Sequence, residues 1–401
     1  MKISQALSLV RMGGPEFDRL QRFRSRCTTI ADVEASAGRA LPRPVFDYVA
    51  GGADDEVTLA ENTAAYAARR FQPRTLRDVA EVDLTTDIVG RRSALPFGLA
   101  PTGYTKMIAA AGEPAVARAA AAAEVPYVLS TMASTSLEEL AVVPPAGRAD
   151  RWFQLYVWKD RALTEALIRR AAAAGYRVLE VAVDTHVSGF RRRDVRNGLT
   201  IPPQLTPASL LGIAARPRYW MQMLAQPMIE FANVTGSDAG YTIENISHQF
   251  DSSLDWQTLE WIRSLWDGPL LLKGPISPAD AVTAQQAGVD GVHLSNHGGR
   301  QLDRCIVPLD LVGPVRQATA ESFTVVVDSG IRHGADIAIA LASGADAAFI
   351  GRAYLYGLAA AGEAGVTHVI DILTRQLTRT LQLAGITSIA ELRAQGPELL
   401  R

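Results

Sequence analysis

Between positions 295 and 301 the chain reads Ser295-Asn296-His297-Gly298-Gly299-Arg300-Gln301, directly after an apolar run at 291–294. A histidine exchanges a proton near neutral pH, and an arginine three positions later can grip a carboxylate with two parallel hydrogen bonds. The combination points to proton chemistry beside a carboxylate group. The glycines between them let the backbone approach a ligand with no Cβ in the way. A βα turn with a hydrogen-bonded histidine and a surface arginine would spell the same letters, so the surrounding chain has to decide.

Around this stretch the sequence alternates. Short β-like runs at 96–100, 126–130, 152–157, 178–184, 269–273, 291–295, 324–328 and 347–351 are separated by helical stretches such as 113–124, 162–174, 278–287, 335–343 and 366–383. Eight βα repeats are the count that closes a parallel barrel. The expected fold is therefore α/β, a TIM (β/α)8 barrel in one domain over 1–401, with its barrel core at about 95–385. A doubly wound open sheet is the alternative, but it usually carries G-x-G-x-x-G after its first strand, and none follows 96–100. Ahead of the barrel lies a lead-in with a short helix at about 30–37, then Tyr48, the break Gly51-Gly52, and acids at 54–56 suited to the positive end of a helix over 57–69. By its residue type Tyr48 fits a core as readily as a site.

A barrel keeps its active site at the C-terminal ends of its strands. In chain order those ends offer Thr102 and Gly103, Ser130, Gln154 and Tyr156, Asp184, Lys273, Ser295 and His297, then Asp328, Gly330 and Arg332, and finally Gly351 and Arg352. Any one of these could be a helix cap. Eight consecutive polar, glycine or basic ends argue for a site. The last two ends bring glycine amides and two guanidiniums together where barrels hold phosphate, so a phosphorylated cofactor or substrate is expected.

Composition narrows the class. Hydrophobic residues make up 48% and charged residues 20%, with a net charge of −2, which gives no electrostatic case for nucleic acid. Two cysteines, Cys27 and Cys305, form neither a disulfide framework nor a metal-ligand spacing, so a reducing cytoplasm fits and no metal is expected. The N-terminal residues lack the apolar core of a secretory signal, and no run reaches the ~18 apolar residues of a spanning helix. Between the fourth and fifth strands an insertion at about 191–267 carries an aromatic, Met and Arg-rich stretch at 217–231, whose composition suits peripheral contact with a membrane; a cover over the barrel mouth or a subunit contact are the alternatives.

Taken together, S-N-H-G-G-R-Q-L-D, Phe153-Gln154-Leu155-Tyr156, Val183-Asp184-Thr185, Leu272-Lys273-Gly274 and Phe349-Ile350-Gly351-Arg352 resemble the FMN-dependent L-2-hydroxy-acid dehydrogenase/oxidase family, over residues 29–392. The resemblance implies FMN, a small 2-hydroxy-acid substrate, quinone or O2 as electron acceptor, and a homotetramer in the cytoplasm or at the inner face of its membrane. It implies that His297 is the base, that Asp184 stabilises the resulting imidazolium, that Arg300 and Arg191 hold the substrate carboxylate with Tyr48, and that Tyr156 bonds the hydroxyl end. Lys273 would stabilise the anionic reduced flavin. Thr102, Gly103, Ser130, Gln154, Ser295 and Asp328 would surround the cofactor, and Gly330, Arg332, Gly351 and Arg352 would bind its phosphate.

The chain departs from the family pattern at several points. Ala182 stands where many members have a flavin-contacting Thr, His186 where Pro is frequent, and Met132 where glycolate-oxidising members often have Trp. Gly189-Phe190-Arg191 replaces the usual G-R-R, which leaves Arg192 as an alternative in register to Arg191. Gly103 and Met132 imply a roomy pocket, for L-lactate first and for (S)-mandelate or a larger 2-hydroxy acid as alternatives. An oxygen-reducing oxidase, a phosphate-dependent isomerase on the same barrel and a catalytically silent scaffold are the competing classes.

Overall fold

The structure, a computed structural model, describes residues 17–144, 149–199, 212, 214–227, 229–234 and 249–401. The chain enters through helices Arg19–Arg26, Ile30–Ala40, Arg43–Ala50 and Val57–Ala68, then forms an antiparallel hairpin of β1 (Thr86–Ile88) and β2 (Arg91–Ser93). Parallel strands follow: β3 (Phe97–Leu99), β4 (Pro126–Ser130), β5 (Asp150–Leu155), β6 (Val178–Ala182), β7 (Leu270–Gly274), β8 (Gly291–Leu294), β9 (Thr324–Val327) and β10 (Ala347–Ile350). They close in chain order, with β10 pairing back onto β3 through Ala348–Phe97, which makes the fold a TIM (β/α)8 barrel. Most barrel strands are buried along their whole length, as expected for a parallel sheet covered on one side by helices and filled on the other by side chains.

The eight expected strands are all present, with ends shifted by one or two residues. The run at 152–157 begins earlier, at Asp150, and stops at Leu155, because the Tyr156 amide turns to the Thr131 hydroxyl at 3.0 Å. The expected helix at 366–383 is the second half of a longer one, Arg352–Ala384, whose backbone leaves helical geometry at Ala361 and Gly362. The hairpin β1–β2 was not anticipated. It caps the N-terminal end of the barrel, where Arg177 forms a two-pronged ion pair with Asp150 (2.8 Å each) and lies over the Trp152 ring. Trp152 and Phe349 fill the barrel behind it, ring centroids 5.2 Å apart.

Of the stretch 191–267, residues 200–211, 213, 228 and 235–248 lie outside those described. Its described part holds the short helix Pro217–Leu224 and the helix Trp256–Leu265, which returns the chain to β7. No described helix is long and apolar enough to cross a membrane.

The lead-in does more than precede the barrel. Helix Val57–Ala68 lies across the end of β8: Asn62 and Asn296 exchange amide hydrogen bonds at 2.7 and 2.9 Å, and Asp303 accepts from the amides of Asp55 and Thr58. Both cysteines are buried, Cys27 under helix Arg352–Ala384, where His368 donates to its carbonyl at 2.7 Å, and Cys305 beneath Thr58, whose hydroxyl accepts the Cys305 amide.

The loop after β4 is fixed by one buried carboxylate. Glu113, on helix Gly112–Ala122, accepts from the Ser134 amide (2.7 Å) and from the hydroxyls of Ser134 and Thr135 (2.8 Å each). Replacing it by alanine strands several buried donors at once. Glu113→Ala is expected to lower the unfolding free energy by about 3 kcal/mol in urea titration; a loss under about 1 kcal/mol would show that the loop holds itself.

Candidate active site

His297 sits one turn past β8 with a positive φ of 59°, and Gly298 and Gly299 continue the left-handed path at 67° and 75°. This path is dictated by neighbours. A Cβ on Gly299 would stand 2.7 Å from the Leu59 amide nitrogen, and one on Gly298 would run into the Arg352 guanidinium. The turn aims the imidazole between two partners. Nδ1 lies 3.1 Å from Asp184 Oδ2 and Nε2 lies 3.1 Å from the Tyr156 hydroxyl. A carboxylate at Nδ1 takes the N–H there, which leaves Nε2 as the basic nitrogen facing the cavity. Gln301 ties the two loops together, accepting from the Gly189 amide and donating to the carbonyls of Asp184 and Val187. Burial pushes the Tyr156 phenol well up, so it stays a neutral hydrogen-bonding group.

Beside the histidine, Lys273 rises from β7 almost fully buried, bonded to Ser295 Oγ at 2.7 Å and Asp328 Oδ2 at 2.9 Å. Burial disfavours its charge, but Asp328, Glu180 and Asp184 more than offset that and raise its pKa. Asp328 is held well below the usual carboxylate range: burial opposes ionisation, and Lys273 and His293 override it. Nearby, Ser130 donates to Gln154 Oε1 at 2.9 Å, and the buried Gln154 Nε2 has no partner among the described residues. The Thr102 hydroxyl meets that of Tyr354 at 2.7 Å.

Three arginines make no ion pair among the described residues. Arg352 donates to the carbonyls of Val49, Gly298 and Gly51. Burial, with Arg300 and Arg332 close by, brings its pKa down to about 9. Arg300 donates to the carbonyls of Tyr48 and Gly51 and lies 4.9 Å over the Tyr48 ring; burial and Arg191 lower its pKa too. Arg332 donates to its neighbour's carbonyl, Ile331 O. Clustered cations without carboxylates form an anion site.

One cavity gathers most of the expected residues. Tyr48, Thr102, Gly103, Ser130, Gln154, Tyr156, Arg191, Lys273, His297, Arg300, Asp328, Gly330, Arg332, Gly351 and Arg352 all line it. Asp184 and Ser295 do not; they stand behind the wall and orient His297 and Lys273. Of the two register alternatives, Arg191 reaches the cavity while pairing with Asp194 at 3.0 Å, and Arg192 turns away to Asp55. Several lining or supporting contacts were not expected from the sequence. Phe250 and Phe231, the latter closing the 217–231 stretch, come from the insertion and line the cavity, while Asn62 of the lead-in bonds Asn296 and Asp303, the last residue of the S-N-H-G-G-R-Q-L-D motif, accepts from lead-in amides; these contacts are tertiary and leave no local pattern. Ser329, whose hydroxyl accepts from the Gly298 amide and donates to Asp328, was legible beside Asp328.

Residues 37–398 match the FMN-dependent dehydrogenase family. The chain belongs to that family. A Mycobacterium tuberculosis protein provisionally named an L-lactate dehydrogenase is 44% identical over 98% of this chain and 94% of its own length. The L-lactate dehydrogenase of Caulobacter vibrioides is 39% identical over 91% and 96%. Among solved structures, the monotopic membrane protein (S)-mandelate dehydrogenase superposes with a TM-score of 0.88 at 37% identity, covering 93% of this chain and 99% of that one. This FMN-dependent dehydrogenase is accordingly a 2-hydroxy-acid oxidoreductase. Its cavity fits the cofactor: the Gln154 amide suits a flavin carbonyl, and the guanidiniums of Arg332 and Arg352, which meet no carboxylate among the described residues, suit a phosphate with open space over Gly351.

The Asp328 ion pair makes a pH prediction. Its folded pKa is depressed, so its stabilisation is present above the ordinary carboxylate value near 4 and fades as pH falls through the lower folded value. Asp328→Asn should destabilise the apoprotein by about 3 kcal/mol at neutral pH, with the gap to wild type narrowing below about pH 4. Chemical denaturation at several pH values checks this; a gap that is constant down to about pH 3 contradicts it.

Proposed function

We propose that the protein oxidises L-lactate to pyruvate, with His297 as the base and electrons passing from FMN to a quinone. The observation that carries this reading is the Asp184–His297–Tyr156 line facing a cavity that also holds Arg300 and Arg191. The arginines bind the substrate carboxylate and Tyr48 closes over it, which turns the α-carbon toward the flavin site. Tyr156 holds the substrate hydroxyl. His297 Nε2 takes the proton, and Asp184, already on Nδ1, stabilises the imidazolium as it forms. Bound FMN supplies the two-electron acceptor. Lys273 would supply a fixed positive charge at its pyrimidine end, and Arg332 and Arg352 would hold its phosphate.

The names of the curated relatives favour lactate as substrate. A second reading rests on the cavity wall, where Tyr104 and Phe231 lie 4.9 Å apart with Met132 and Phe250, an apolar surface suited to an aryl group such as that of (S)-mandelate. The quinone reading rests on helix Pro217–Leu224, which exposes Met221 and Leu224 to 64% and 80% while Tyr219 anchors it to the Met107 carbonyl. Together with the monotopic relative, this supports peripheral binding to the inner face of the membrane.

Anaerobic addition of L-lactate to the yellow holoenzyme is expected to bleach the flavin, faster than (S)-mandelate does, and admitted air should restore colour slowly. Faster bleaching by mandelate would transfer the assignment to the aryl acid, and rapid reoxidation by air would make the protein an oxidase. His297→Gln should slow bleaching about a thousandfold with FMN still bound; an unchanged rate removes the base. Met221→Ser with Leu224→Ser should release the protein from anionic vesicles without loss of activity toward a dye, and undiminished vesicle binding would refute the membrane contact.

A further inference from the structure

Below the cavity floor lies a second histidine that the chemistry above does not use. His293, on β8, is completely buried, with Nδ1 2.8 Å from Glu180 Oε1 and Nε2 3.2 Å from Asp328 Oδ2. The approach to Asp328 is off the line of a hydrogen bond, so it is an ion-pair contact. A neutral imidazole has one N–H and one lone pair, and with two carboxylates against its two nitrogens the lone pair would face one of them. Only the doubly protonated ring suits both.

The charge count agrees. Glu180, Asp328 and Lys273 are all buried, two carboxylates and one ammonium, and Glu180 Oε2 has no hydrogen-bond partner among the described residues. An uncompensated charge inside the barrel is costly, and a charged His293 balances the set. The groups facing the ring are Glu180 from β6, Lys273 from β7 and Asp328 just past β9; from β10 it meets the Phe349 ring at 4.9 Å, an apolar contact. Burial works against the imidazolium, but Glu180 and Asp328 outweigh it and raise its pKa.

We propose that His293 is a buried imidazolium, clamped between Glu180 and Asp328, that acts with Lys273 as a second fixed cation beneath the flavin and raises the flavin's reduction potential. A negative charge grows on a flavin as it is reduced, and a fixed cation beneath it would favour that form. His293 works through Asp328 and Lys273 and touches no substrate, so it is a positioning residue. The inference rests on the reading that Lys273 faces the flavin's pyrimidine end.

The test is the midpoint potential of FMN in the holoenzyme, titrated anaerobically against reference dyes from about pH 6 to about pH 9. In His293→Gln the reduced-to-oxidised ratio at a fixed poise should fall about tenfold across that range. Glu180→Gln should lie above wild type at the acid end, where the ring is charged and one carboxylate is gone, and fall to wild type at the alkaline end, because its ring has lost the partner that holds the proton. Lys273→Met, measured alongside, should also fall. A His293→Gln protein with bound FMN and a wild-type potential, beside a shifted Lys273→Met, overturns the proposal and leaves His293 a packing residue. If Lys273→Met does not move, the reading of Lys273 fails instead and takes the inference with it. Should His293→Gln not fold, the step in Glu180→Gln decides, and a profile parallel to wild type overturns the proposal.

Discussion

Everything at the mouth of this barrel depends on three consecutive residues following a left-handed path, His297, Gly298 and Gly299. A non-glycine residue at positive φ is strained by about 1 kcal/mol or more, and it persists only where its surroundings determine it. Here they do. Helix Val57–Ala68 presses its backbone against Gly299, the Asn62–Asn296 amide pair locks the preceding residue, and Arg352 occupies the space a side chain at position 298 would need. The strain is confined to the one residue whose side chain must leave the turn toward Asp184 and Tyr156.

Electrostatics divides the cavity into two regions of opposite logic. Around Lys273 the charges are matched inside the barrel, each cation touching a carboxylate, so that region is complete before any ligand arrives. Around Arg300, Arg332 and Arg352 the cations meet backbone carbonyls and the Tyr48 ring but no carboxylate among the described residues, and burial works against the charge of Arg300 and Arg352. The first region is set to hold a potential steady. The second is left unsatisfied and gains most when anionic groups enter, which is how a site binds firmly without rearranging.

Much of this was legible in the sequence because a barrel writes its site at regular intervals. The polar residue after each apolar run marked a strand end, and His297, Lys273, Asp328 and Arg352 could each be found that way. What could not be read depended on contacts across the chain. Asn62 looks like any polar helix residue until helix Val57–Ala68 is seen to cross β8. The hairpin β1–β2 is too short to show a period. His293 and Glu180 sit inside apolar strands, where a lone polar residue gives no hint of its partner 113 positions away. The choice between Arg191 and Arg192 needed the turn of helix Arg192–Asn197.

The two buried cysteines give the molecule a pair of internal clocks. Burial raises both thiols above their ordinary pKa, so neither presents much thiolate while its surroundings are closed. Cys27 becomes reachable only when the first lead-in helices lift from helix Arg352–Ala384, and Cys305 only when helix Val57–Ala68 lifts from the β8 loop. The rate at which a small thiol reagent labels each one therefore times a different local opening. Because the second opening also frees the turn that carries His297, the breathing of the catalytic mouth can be followed in the native protein without introducing a cysteine.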